Sequence, residues 1–177
     1  GQPEEHPSVF VTFEVEKVII SAQDRRQYPG EVVLTERKHR ALATALAVAM
    51  LNKVPLTWWE IVSRCGFMEG NVTIKRFYKL FENFRDAIRG QARRSGMRWL
   101  DPKRLYKTQG IPASLRKQGQ NVYHGYIYDS AVVTLRGTGH SARAFAAKEG
   151  YYVVPKHRLR RAERELVGVA DSETEKD

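Results

Sequence analysis

Four side chains within residues 71–89 (NVTIKRFYKLFENFRDAIR) have the chemistry to read the edges of base pairs: Lys75, Arg76, Lys79 and Asn83. Spaced three and four apart, they fall on one face if the stretch is helical. A guanidinium can donate two parallel hydrogen bonds to guanine, and a carboxamide can pair bidentately with adenine. Thr73, Arg85, Arg89, Arg93, Arg94 and Arg98 suit another target. A hydroxyl at a helix start and forked guanidinium donors match phosphate oxygens, which fix register without reading sequence. The expected partner is double-stranded DNA, with base contacts from the first group and phosphate contacts from the second.

Other chemistry has thinner support. The histidines, His6, His39, His124, His140 and His157, form no pair at the i, i+4 spacing of a zinc site, and Cys65 is the single cysteine. His124 and His140 with Asp129 could be imagined as a nuclease cluster, yet a hairpin turning at Asp129 would hold that carboxylate away from His124. The Gly137-Thr138-Gly139 turn could cradle a phosphate on its amides, but it lacks the third glycine of a dinucleotide fingerprint and the lysine of a P-loop. Tyr123, Tyr126, Tyr128, Tyr151 and Tyr152 lie among basic residues, a pattern that serves base stacking or, more simply, the covering of a sheet. No catalytic residue, metal site or cofactor is expected. Two alternatives stay open: a nucleic-acid-processing enzyme with a nuclease-like C-terminal half, and a DNA-binding subunit of a replication, partition or defence assembly.

Charge agrees with the first reading. The chain of 177 residues carries a formal net charge of +10. Residues 72–117 hold thirteen basic side chains against three acidic ones, so this one segment equals the charge of the whole chain. Localised positive charge is the electrostatic footprint of a polyanion partner. The apolar content, 42%, is enough to build a core. The apolar stretch at 41–51, broken by Thr44, is too short for a membrane span. No leader pattern is seen, so a cytoplasmic, nucleoid-associated protein is expected.

These side chains must be positioned by a fold. Residues 9–20 alternate apolar and polar and read as a half-buried strand, residues 21–30 as a loop and residues 31–34 as a second strand, together a hairpin or small sheet. Thr35 is the expected cap of a helix with Leu42, Ala45, Leu46, Ala49 and Met50 inward, stopped before Pro55. Thr57-Trp58-Trp59-Glu60 is a capping box opening a short helix with Ile61 and Val62 inward and Gly66 at its end. A turn over 67–70 leads to the helix at 71–89, capped by Asn71 or Thr73. Its inward face would be Ile74, Phe77, Tyr78, Phe81, Phe84 and Ile88. Residues 91–102 (QARRSGMRWLDP) read either as a two-stranded wing or as a plain surface hairpin.

This order of elements, with the segment GEVVLTERKHRALATALA before a short helix and a long basic one, resembles the winged-helix effector domains of the OmpR/PhoB type. Leu34-Thr35 matches the family's helix start, whereas Lys38 or His39 stands where the family favours an acidic residue. The resemblance covers residues 9–102 and lacks the receiver domain of those regulators. It implies an α+β winged helix-turn-helix, with the long helix in the major groove and Lys75, Arg76, Lys79 and Asn83 toward it. The expected product is a sequence-specific transcriptional regulator.

The expected organisation is a DNA-binding domain over 1–102, an α+β extension or second small domain over 103–169, and a disordered acidic tail over 170–177. Residues 101–120 read as a connector with a short helix at 113–117. Two strands joined at Asp129-Ser130 would form a hairpin. A helix at 141–149, a strand at 151–154 and a basic helix at 157–167 complete the extension. It could mediate homodimerisation, a second DNA contact or docking of a protein partner, and the sequence does not choose among them.

Overall fold

The buried positions of the N-terminal alternation change parity, and the change marks a turn. Val9, Val11 and Phe13 are buried at odd numbers, Val18 and Ile20 at even ones. Successive side chains of a strand point to opposite faces, so one straight strand cannot switch parity and keep the same face inward. The computed structural model, which describes residues 5–14, 16–64, 73–116 and 123–137, divides the single strand expected over 9–20 into two. These are β1 (Val9–Glu14) and β2 (Lys17–Ala22), antiparallel, with Val9 opposite Ala22 and Glu14 opposite Lys17. Glu16 in the connecting turn has φ of 64°. The third strand, β3 (Glu31–Leu34), pairs antiparallel with β2.

Three helices follow. The first, α1 (Arg37–Asn52), starts one residue later than a Thr35 cap would require. Glu36 is the capping residue, its side chain makes no capping bond, and its Oε2 lies 3.6 Å from His39 Nδ1 instead. Every residue from His39 to Ala49 is buried, so α1 is a central helix rather than an amphipathic one. Alanines at 41, 43, 45, 47 and 49 let its neighbours approach from all sides. Thr44, buried there, satisfies its hydroxyl on the Arg40 carbonyl at 2.8 Å. Pro55 forbids continuation, and α1 ends with Lys53 in the left-handed region at φ of 56°.

The capping box forms as expected ahead of α2 (Trp58–Arg64). The Glu60 amide donates to Thr57 Oγ1 at 3.2 Å, and the Thr57 amide donates to Glu60 Oε1 at 3.4 Å. Cys65, Gly66, the turn at 67–70 and Asn71 lie outside the described residues. Helix α3 (Ile74–Arg94) is capped by Thr73, whose hydroxyl accepts from the Arg76 amide. It runs about one turn past Arg89, so residues 91–94 are helix and neither the wing nor the plain hairpin read over 91–102 forms. Two causes are visible. Ala92 and then Met97 are buried and prolong the inward stripe. The Gln91 amide also pairs with both backbone groups of Val33, accepting from its N–H at 2.7 Å and donating to its carbonyl, and so occupies the edge of β3.

The hairpin of this fold comes later. Strands β4 (Tyr106–Gly110) and β5 (His124–Tyr128) pair antiparallel, Tyr106 opposite Tyr128 and Gly110 opposite His124. The expected connector therefore contains a strand, and its short helix is a 3-10 turn at Ala113–Leu115. The hairpin expected across Asp129-Ser130 is also corrected, because β5 and β6 (Val133–Gly137) belong to different sheets. The Asp129 amide bonds the Leu105 carbonyl, and the Val132 and Val133 amides bond the Asp129 carbonyl. That turn carries the chain to β1, where β6 adds parallel with Val9 opposite Val133 and completes a sheet of order β3-β2-β1-β6.

Leu56, between α1 and α2, forms a backbone bridge with Tyr126 of β5, giving the local order Leu56, β5, β4. Gly125 makes this crossing feasible, since a Cβ there would stand 2.8 Å from the Leu56 carbonyl oxygen and the Pro55 carbonyl carbon. The result is the α+β arrangement anticipated from the sequence: an N-terminal β-hairpin, three helices and a small C-terminal region, in winged-helix order. One cluster of buried residues runs from the four-stranded sheet through all three helices to Leu105, Ile127, Tyr128 and Val133. Among the described residues no helix is long and apolar enough to cross a membrane.

Candidate nucleic-acid interface

Helix α3 has one face in the core and one in solvent. Phe77, Leu80, Phe81, Phe84, Ile88 and Ala92 are buried. Two residues expected inward are not: Ile74 is 43% exposed and Tyr78 61% exposed. Leu80, which the pattern had not assigned, is buried. Helices α1 and α2 both pack against α3. The hairpin reaches Phe77 and Phe81, with the Tyr126 ring 4.9 Å from Phe77 and the Tyr106 ring 4.9 Å from Phe81. It leaves Ile74 and Tyr78 exposed.

Lys75, Arg76, Lys79 and Asn83 are all exposed, on consecutive turns of the first half of α3. From Lys75 to Asn83 the helix rises about 12 Å, close to the width of a major groove. The six residues expected at phosphate divide into separate places. Thr73 is exposed at the helix start and serves as its cap. Arg85 faces the hairpin, donating from Nη1 to the Tyr106 hydroxyl at 2.8 Å. Arg89 lies 3.5 Å from Asp86 on its own helix. Arg89, Arg93 and Arg98 line an open cleft of about 470 Å³ with Ala92, Met97, Leu100, Asp101 and Pro102, while Arg94 is exposed beside it. Arg93 lies about 27 Å along the helix from Lys75, so the first-half cluster and the cleft are distinct surfaces.

The hairpin adds cations that sequence reasoning had not assigned. Lys107 is exposed on β4, 4.0 Å from Asp129. Arg116 is exposed beyond the strands, with its Nε donating to the Ile111 carbonyl at 3.0 Å and its guanidinium 4.8 Å from the Tyr123 ring centre. The alternation of Tyr106 and Thr108 was the available signal for β4, obscured by the neighbouring Gly110-Ile111-Pro112.

The imagined hydrolytic cluster does not assemble. His124 is the first residue of β5 and Asp129 follows its last, about 17 Å apart by strand rise. The Asp129 carboxylate accepts from the Ala131 amide at 3.0 Å. Residues 138–177, with the second glycine of the glycine turn, His140, His157, Tyr151, Tyr152, the expected helices and strand and the acidic tail, lie outside the described residues. Among the described residues no group of three His, Cys, Asp or Glu could hold a metal ion.

Two histidines are tied into the structure. His6 contacts the Pro7 carbonyl through Nδ1 at 2.8 Å and accepts from the Asp101 amide at Nε2 at 3.0 Å, a pattern that fits the neutral Nδ1–H tautomer. Burial lowers its pKa, against an opposing pull from the Pro7 carbonyl bond. His39 is likewise lowered by burial, partly offset by Glu36. The Tyr128 hydroxyl is buried and finds no hydrogen-bond partner among the described residues, and burial raises its pKa. Tyr126 is raised as well, first by burial and then by the nearby Tyr78 and Tyr106.

The chain is an α+β protein of helices and two small sheets, an arrangement compatible with a generic DNA-binding-like architecture. Comparison with protein-family models, with curated proteins and with solved structures returned no match for this chain.

Proposed function

We propose that this chain is a sequence-specific double-stranded DNA-binding protein, a transcriptional regulator of the winged-helix kind found in OmpR/PhoB-type effector domains, acting in the nucleoid. One observation carries the reading. The buried face of α3 is rigidly seated in the core, and its opposite face offers Lys75, Arg76, Lys79 and Asn83 within the span of one groove. In this reading the first half of α3 enters the major groove. Arg76 and Asn83 pair with guanine and adenine edges, and Lys75 and Lys79 add point-charge contacts. Thr73, Arg85, Arg89, Arg93, Arg94 and Arg98 are assigned to phosphates, those of the far cleft to backbone flanking the groove. The β4–β5 hairpin takes the role of the wing, with Lys107 and Arg116 reaching the neighbouring backbone.

Selection of bound duplexes from a random pool tests this. The expected outcome is a sharp enriched motif. Arg76→Ala should flatten discrimination between that motif and random duplex, whereas Arg94→Ala should weaken both alike and reduce the salt slope by about one. No enrichment, or full discrimination by Arg76→Ala, would sink the assignment.

A further inference from the structure

The flank of α3 that faces the hairpin carries two exposed residues, Ile74 and Tyr78, that duplex reading does not use. Ile74, Tyr78, Phe81 and Arg85 recur at four, three and four residues and so form one stripe. Phe81 is buried under Tyr106 and Tyr126, whereas Ile74 and Tyr78 lie open at 43% and 61% exposure. Beneath them the aromatic packing is continuous. The Tyr78 ring is 5.5 Å from that of Phe77, which is 4.9 Å from that of half-buried Tyr126. On the face of the hairpin that carries Tyr126, Thr108 lies directly opposite it and is exposed. Lys75 and Lys79 are the next residues along the helix from Ile74 and Tyr78, and both are exposed. Arg85 is held on the same flank by its bond to Tyr106.

An exposed tyrosine beside lysines at every turn is an arrangement for stacking a base while its phosphate is neutralised. A closed duplex offers base edges and phosphates, and its base faces are hidden in the stack. Such a shelf finds its partner where a base is unpaired. Resting on the DNA-binding reading above, we infer that Tyr78, with Ile74 and Tyr126 beside it, is a stacking shelf for an unpaired base, so that the protein favours DNA in which a duplex adjoins a single strand. The backbone of that strand runs past Lys75 and Lys79, and the Tyr106 hydroxyl, held by Arg85, bounds the shelf on its inner side.

The test is fluorescence anisotropy with two labelled DNAs, a blunt random-sequence duplex and the same duplex extended by an oligothymidine overhang. Stacking on an exposed aromatic makes the expected preference of the wild type for the overhang about five-fold or more. Tyr78→Ala should abolish that preference and leave blunt-duplex affinity within about two-fold, while Tyr78→Phe keeps the ring face and the preference. Tyr78 is exposed, so both variants retain the core. Equal wild-type affinity for the two DNAs, or a preference that survives Tyr78→Ala, overturns the inference and leaves duplex binding standing. So does a loss with Tyr78→Phe equal to that with Tyr78→Ala, which would mean that the hydroxyl, touching phosphate, is what matters. Parallel loss of blunt-duplex affinity in Tyr78→Ala would assign the ring to the duplex instead. Failure of the wild type to bind either DNA overturns the DNA-binding reading itself.

Discussion

Gly125→Ala is the substitution through which the architecture is most directly tested. Strand β5 crosses the α1–α2 connection so closely that a methyl at Gly125 would meet the Leu56 carbonyl oxygen at 2.8 Å, the Pro55 carbonyl carbon at 2.8 Å and the Leu56 carbonyl carbon at 2.9 Å. All three are backbone atoms, so no side chain can swing aside. Relief requires the hairpin to move away, and that movement breaks the Leu56–Tyr126 bridge. Its two hydrogen bonds, Leu56 amide to Tyr126 carbonyl at 3.0 Å and Tyr126 amide to Leu56 carbonyl at 2.7 Å, are worth about 0.5–1.5 kcal/mol each. Overpacking strain adds about 1–3 kcal/mol. A total of about 2–6 kcal/mol is expected as a fall in unfolding free energy, measured by urea titration. Gly110→Ala is the control, because a Cβ there has just one neighbour, the Tyr123 carbonyl oxygen at 4.0 Å. It should shift stability by no more than about 0.5 kcal/mol. If Gly125→Ala is as mild as Gly110→Ala, the hairpin does not cross the helical connection where the structure puts it.

Three other outcomes follow from single interactions. Gln91→Ala removes the side chain that satisfies both Val33 backbone groups, so it should cost about 1–3 kcal/mol and speed hydrogen exchange at the Val33 amide. An amide that stays protected would refute the clamp. Tyr128→Phe discards a buried hydroxyl with no partner among the described residues and should be neutral or stabilising by up to about 1–2 kcal/mol, a loss of that size arguing that the hydroxyl is bonded after all. Stability should also fall as pH drops through the ordinary histidine value of 6.5, because the folded pKa values of His6 and His39 lie below it. Above that value both states are neutral and stability is full. Below it the unfolded chain takes up protons first, and the loss levels off once pH is under the folded values. His6→Phe should flatten part of this slope in denaturant melts, and an unchanged slope would remove His6 from the account.

What the sequence determined by itself is local. The capping box at Thr57–Glu60, a cap at Thr73 (one of the two candidates), the stop before Pro55 and the inward positions of Phe77, Phe81, Phe84 and Ile88 all depend on contacts within a few residues, and they form as read. The exposure of Lys75, Arg76, Lys79 and Asn83 follows from the same periodicity. The turn at Glu16 was also written there, in the parity change between Phe13 and Val18 that one long alternation conceals.

Tertiary structure decided the rest, because pairing partners distant in sequence leave no local mark. Nothing in the segment around Asp129 says that β5 will join β4 while β6 crosses to lie parallel to β1. The helix continues past Arg89 because Ala92, Gln91 and later Met97 find partners in the sheet and core. Ile74 and Tyr78 are exposed because the hairpin covers the aromatic stripe only from Phe77 inward. Local periodicity can assign a side chain to a helix face. Whether a neighbour covers that face depends on where a strand from fifty residues further along the chain comes to rest.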